Sequence, residues 1–160
     1  MSGKTWDVIE GSIELDAAAS EVMAYVADFE NYPKWFPNII AVEAVDDRPL
    51  YEAGKLYREE IKLPTGETKV IDLKVVSGSP GSRLTTEADL PPIVPQFEYS
   101  VEDLDLGRSR FHYRALRTQG GVAAKMGHMV MKHALEGSLP TALEALREVF
   151  AAPPSDADPS

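Results

Sequence analysis

Alternation of apolar and polar residues dominates the first three quarters of the chain. Near the end of residues 5–15, Ile13 and Leu15 alternate with Ser12 and Glu14. A period of two places alternate side chains on opposite faces of a strand. The same argument predicts strands over 39–47, 54–62, 67–77, 83–89, 96–104 and 109–118. The turn-forming stretches "PTG" (64–66), "SGSPGS" (77–82) and "DLGR" (105–108) separate several of them. The segment "LPPIVP" (90–95) cannot lie inside a strand, because proline has no amide hydrogen to donate. It is expected to be a loop, and a candidate gate. Two stretches break the alternation. After the first strand, Val22, Met23, Val26 and Ala27 form a helical stripe with Ser20 as its expected cap. From Val122 to Phe150 the period becomes 3.6, which predicts one long helix bent near Gly137, Ser138 and Pro140.

This order predicts an α+β domain: a strand, short helices, six more strands in a curved antiparallel sheet, and a long closing helix. The expected domain is residues 1–150, followed by a loose proline-rich tail over 151–160, "AAPPSDADPS". The strand faces predict which side chains point toward the helix. They are Tyr57, Glu59 and Ile61; Ile71, Leu73 and Val75; Leu84, Thr86 and Ala88; Phe97, Tyr99 and Val101; and Phe111, Tyr113 and Ala115. On the long helix, Val122, Met126, Met129, Val130 and His133 share one face, continued by Leu143, Leu146 and Phe150. That face is taken as the inward one. The space between is expected to be a mostly apolar cavity with few polar groups, the composition of a ligand site. Glu59 and His133 are the candidate acid–base groups. The candidate ligand contacts are Phe36, Tyr57, Leu73, Thr86, Phe97, Tyr99, Phe111, Tyr113, Met126, Met129 and Val130.

The formal net charge of −10 disfavours nucleic acid as a partner, since phosphate binding rests on clustered basic residues. Arg108, Arg110, Arg114 and Arg117 do cluster, but they alternate with Phe111, Tyr113 and Leu116 and read as a solvated outer strand face. The absence of cysteine excludes disulfides and thiolate chemistry. Three scattered histidines suggest no metal, and no phosphate loop, nucleophile elbow or dinucleotide fingerprint is present. No cofactor is expected. No stretch approaches the ~20 apolar residues of a membrane span, and the N-terminus lacks a signal-peptide core. A cytoplasmic monomer or homodimer is the expectation.

The stretch "IELDAAASEVMAYVADFENYPKWFPNI" (13–39) resembles the opening of the polyketide cyclase/dehydrase-like proteins of the START-like (SRPBCC) superfamily. The motif positions are Asp16, Ala17, Asp28, Phe29, Tyr32, Pro33 and Trp35. The resemblance implies the helix-grip fold, with a seven-stranded sheet wrapped around the C-terminal helix. It also implies that "NYPKWFP" seals one mouth of a cavity. It implies a hydrophobic ligand such as a lipid, isoprenoid or polyketide, or else a cyclase/dehydratase activity. Aromatic cyclases of this kind are described with an arginine and a tyrosine in the pocket. Here only Arg58 and Arg117 could supply the arginine.

Overall fold

The computed structural model describes residues 4–151. The tail predicted over 151–160 lies, apart from Ala151, outside the described residues. The elements are β1 (Trp6–Leu15), α1 (Ala19–Val26), a 3-10 segment (Phe29–Lys34), β2 (Ile39–Ala44), β3 (Leu56–Lys62), β4 (Thr68–Ser79), β5 (Arg83–Ala88), β6 (Pro95–Asp103), β7 (Ser109–Arg117) and α2 (Val122–Val149). A short 3-10 turn, Asp105–Gly107, joins β6 to β7.

The strands form one antiparallel sheet in the order β1-β7-β6-β5-β4-β3-β2. Strands β2 to β7 follow one another by hairpins, while β1 crosses over to pair with β7. Irregular register at Asp7/Ile9, Ile39/Ala41 and Val75/Ser77 marks bulges, which bend and twist a sheet. The predicted inward faces hold on every strand. Tyr57, Leu73, Leu84, Thr86, Tyr99, Phe111 and Tyr113 are all buried.

The outer face is an ion-pair lattice. Arg108 and Arg110 meet Glu14, Arg110 also meets Glu102, and Arg114 bridges Asp7 and Glu98. These pairs are solvent-screened and individually contribute little. Arg117 departs from the predicted outer set. It is buried, stacked 4.2 Å over the Trp6 ring, and donates to His128 Nδ1 at 2.9 Å and to the Gln119 carbonyl at 2.6 Å. Arg117 shares the parity of Phe111, Tyr113 and Ala115, so the alternation that points Arg110 and Arg114 outward turns Arg117 to the buried side.

The cap of α1 also differs from expectation. Ser20 lies inside the helix, and Ala18 occupies the N-cap position. The Ala19 amide donates instead to Asp103 Oδ1 at 2.8 Å, so a carboxylate from the end of β6 takes the capping role.

The largest correction concerns α2. Its N-terminal half presents the opposite face from the one predicted. Ala124, Leu135, Ser138, Leu139, Ala142 and Leu146 are buried. Val122, Met126, Met129 and Val130 are 77%, 65%, 71% and 56% exposed, and His133 is exposed as well. Both sets repeat at helical spacing, so periodicity alone could not choose. Small residues decide it: Ala124, Gly127, Ala134, Ser138 and Ala142 let the helix approach its neighbours closely. In the C-terminal half Leu146 is buried, with Leu143 and Phe150 packed beside the core, as predicted. Helix α2 continues through Pro140.

Candidate functional site

A cavity of about 800 Å³ opens beneath the N-terminal half of α2. The concave sheet supplies Glu59 and Ile61 from β3, Ile71 from β4, Ala88 from β5, Phe97 from β6 and Tyr113 from β7. Tyr32 and Phe36 close it on the side of the 3-10 segment, and Met131, Leu135 and Ser138 come from α2. The rim is formed by Leu63–Gly66 of the β3–β4 turn and by Leu90–Ile93.

The loop that was a candidate gate is tied down on both sides. Thr118 donates its amide to the Ile93 carbonyl at 3.0 Å and its hydroxyl to the Val94 carbonyl at 2.7 Å. Ile93 is buried against α2 at Gly127. A Cβ added at Gly127 would lie 2.8 Å from Ile93 Cγ2, so the close approach of loop and helix depends on glycine.

Glu59 is the chemically distinctive residue. It sits on β3 opposite Ile71 and is 3% exposed. No hydrogen bond or ion pair reaches its carboxyl among the described residues. Burial, which disfavours the charged form, lifts its pKa from the ordinary 4.5 to about 7. Around it stand buried phenols. Tyr99 donates to the Tyr32 hydroxyl at 3.1 Å. The Tyr113 hydroxyl lies beside that pair without a hydrogen bond of good geometry. Burial pushes the pKa values of Tyr32, Tyr99 and Tyr113 up, and the Glu59 charge adds to the rise. All three therefore stay protonated at neutral pH.

The candidate residues sort into three groups. Phe36, Glu59, Phe97, Tyr113 and Val130 line the cavity. Tyr57, Leu73, Thr86, Tyr99 and Phe111 point inward but are packed into the core and do not line it. Phe29 explains part of this, since its ring stands 5.5 Å from Tyr57 and 5.4 Å from Tyr99 and fills that end. Met126, Met129 and His133 lie on the outer face of α2, away from the cavity. His133 therefore cannot act with Glu59. Tyr32, Ile71, Met131, Leu135 and Ser138 line the cavity but were absent from the predicted site. Choosing the small-residue face of α2 would have found the last three.

Trp35 packs edge-on against Phe111 at 6.0 Å and does not line the cavity, whereas its neighbour Phe36 does. Neither possible arginine enters. Arg58 is exposed beside Glu43, and Arg117 is held by Trp6 and His128. Among the described residues no cluster of His, Asp and Glu could hold a metal ion, and no helix is long and apolar enough to cross a membrane.

A family model described as "Polyketide cyclase / dehydrase and lipid transport" matches residues 7–151. No curated protein matches the chain. Among solved structures, the Zhui aromatase/cyclase from a Streptomyces species superposes with a TM-score of 0.74 at 15% identity, covering 92% of this chain and 94% of that one. A START superfamily protein from Mycobacterium smegmatis gives 0.68 at 17% identity, covering 90% and 97%. The di-domain ARO/CYC BexL gives 0.69 at 14% identity, with 94% of this chain covering 51% of that one. At these identities the likeness establishes the helix-grip fold.

Proposed function

Since the chain belongs to the polyketide cyclase / dehydrase and lipid transport family, we propose that it binds a hydrophobic small molecule, such as a lipid, isoprenoid or polyketide, in the cavity between sheet and α2. One observation carries this reading: an 800 Å³ space with largely aliphatic and aromatic walls and very few polar groups. That volume and makeup suit a ligand of drug-like size. Native mass spectrometry of the freshly purified protein tests the reading, together with titration by a neutral, polarity-sensitive naphthalene dye. The expected result is a one-to-one complex lost in Ile71→Trp, which fills the cavity from β4. Dye binding that survives Ile71→Trp unchanged would place the ligand elsewhere.

A second reading is favoured by Glu59. A lone carboxyl with a pKa of about 7 can both take and return a proton near neutrality. In a cyclase/dehydratase-type reaction it would remove a proton from the carbon beside a ketone. The departing hydroxyl would take that proton back from Glu59 and leave as water. The Tyr113 hydroxyl would donate to the ketone oxygen as charge develops there. Glu59→Gln should then abolish turnover of a hydroxyketone while leaving dye binding intact. Unchanged turnover would remove Glu59 from the mechanism.

A further inference from the structure

The cavity has an acid without a base. Among the described residues that line it, the only ionisable groups besides Glu59 are Tyr32, Tyr113 and Lys62. Lys62 is on the exposed rim. Lys55, the buried lysine, is held elsewhere: its ammonium lies 3.4 Å from Asp46 and 5.2 Å from the Tyr57 ring centroid. Glu59 is thus a buried carboxyl facing open space with no partner among the described residues, and buried charges are ordinarily paired. The rings of Tyr32, Phe36, Phe97 and Tyr113 line the same space. Ring faces attract cations. The phenol oxygen of Tyr113 makes no hydrogen bond and is itself buried.

Ligand head groups differ in how they meet this wall. A carboxylate or phosphate would face Glu59 as a like charge. A ketone or ether brings no donor and would leave the Glu59 carboxylate unpaired. An ammonium carries N–H donors and no acceptor, so it complements Glu59, and its charge suits the rings. The net charge of −10 gives the approaching cation a favourable field.

We propose that the cavity selects hydrophobic amines: an apolar body carrying a protonated nitrogen that pairs with Glu59 among the rings of Tyr32, Phe36, Phe97 and Tyr113. This rests on the reading of the cavity as a hydrophobic-ligand site and names its ligand class. The groups facing Glu59 are Tyr32 from the 3-10 segment, Tyr99 from β6, Tyr113 from β7 and, at the rim of its own strand, Lys62. β4 and α2 face the cavity with Ile71, Leu135 and Ser138, which do not titrate. The phenols stay neutral between pH 6 and 8, so Glu59 governs any change of amine affinity in that range.

Three fluorescent probes of one shape test this: naphthylethylamine, naphthylethanol and naphthylacetate, titrated into the full chain. The amine should bind about tenfold more tightly than the alcohol at pH 8, and the acetate most weakly. The amine's advantage should shrink as the pH falls through about 7, where Glu59 takes up its proton. Glu59→Gln, checked for folding by circular dichroism, should bring amine and alcohol to within about twofold of each other. An alcohol that binds as well as the amine, or an amine preference that survives Glu59→Gln, overturns the inference and leaves the hydrophobic-ligand reading standing. Failure of all three probes to bind overturns both.

Discussion

The two ends of the space enclosed by the sheet are built differently. At the end toward α1, Phe29, Tyr57, Tyr99 and Phe111 are fully or almost fully buried and meet edge-on or tilted. At the other end, under the first half of α2, Phe97, Ile61, Ile71 and Met131 stand back from one another around a cavity. Packed aromatic rings contribute both area burial and favourable ring geometry. Walls around an empty space forfeit those contacts. Stability is therefore concentrated at the filled end, while the hollow end keeps room for a guest. Glu59 and the hydroxyls of Tyr32, Tyr99 and Tyr113 sit near the boundary, where a guest's polar atom would come to rest.

The sharpest way to break this contrast is truncation at the filled end. Phe111→Ala should cost about 3–5 kcal/mol in guanidinium unfolding, whereas Ile61→Ala, at the cavity wall, should cost clearly less and weaken ligand binding instead. Equal losses at both sites would mean that the cavity end carries as much of the stability.

The next effect is electrostatic. The folded-state pKa of Glu59 is raised, from 4.5 to about 7. The native state therefore holds this proton more tightly than the unfolded state. The resulting stabilisation is complete below pH 4.5 and lost as the pH rises through about 7. Glu59→Gln removes this dependence. The stability difference between variant and wild type should grow in the variant's favour across that window, by up to about 3 kcal/mol. Urea melts at several pH values check it, and parallel pH profiles for the two proteins would show that Glu59 is not desolvated.

A smaller effect belongs to the edge of the filled end. Asp103→Ala removes the acceptor for the first amide of α1 and should cost about 1 kcal/mol. The smallest is on the outer face of α2. Met126→Gln and Met129→Gln should each change stability by less than about 0.5 kcal/mol and leave dye binding unchanged. A large loss at either position would restore the inward helix face that periodicity suggested.

How much of this was legible from residues alone follows from the same contrast. Alternation told which strand side chains point inward, because the outer positions carry charges, as with Asp72 and Lys74 beside Leu73. Even on β3, where both faces carry charge, the Tyr57 and Glu59 side was correctly taken as inner. Alternation is silent about depth. Tyr99 and Tyr113 share a strand face, yet only Tyr113 reaches the cavity, because Phe29 from another element occupies the space beside Tyr99. The helix failed for a different reason: large apolar residues such as Met126 and Met129 looked like core, while Ala124 and Ala134 allowed closer contact. The cap of α1 was illegible because its acceptor, Asp103, is remote in sequence. The family resemblance over 13–39 carried the fold further than these patterns did, but it did not specify the unpaired carboxyl.

The outward methionines also bear on how the protein ages. Oxidation turns a methionine into a polar sulfoxide, which is damaging where the side chain is packed and tolerable where it already meets water. Met126 and Met129 are open to solvent, Met131 is partly buried at the cavity, and Met23 is sealed in the core at 0% exposure. Among the described methionines, a dilute peroxide should therefore consume the two outer sulfurs first with little loss of fold. Met131, next in reach and lining the cavity, is where oxidative wear would begin to alter what the cavity can hold.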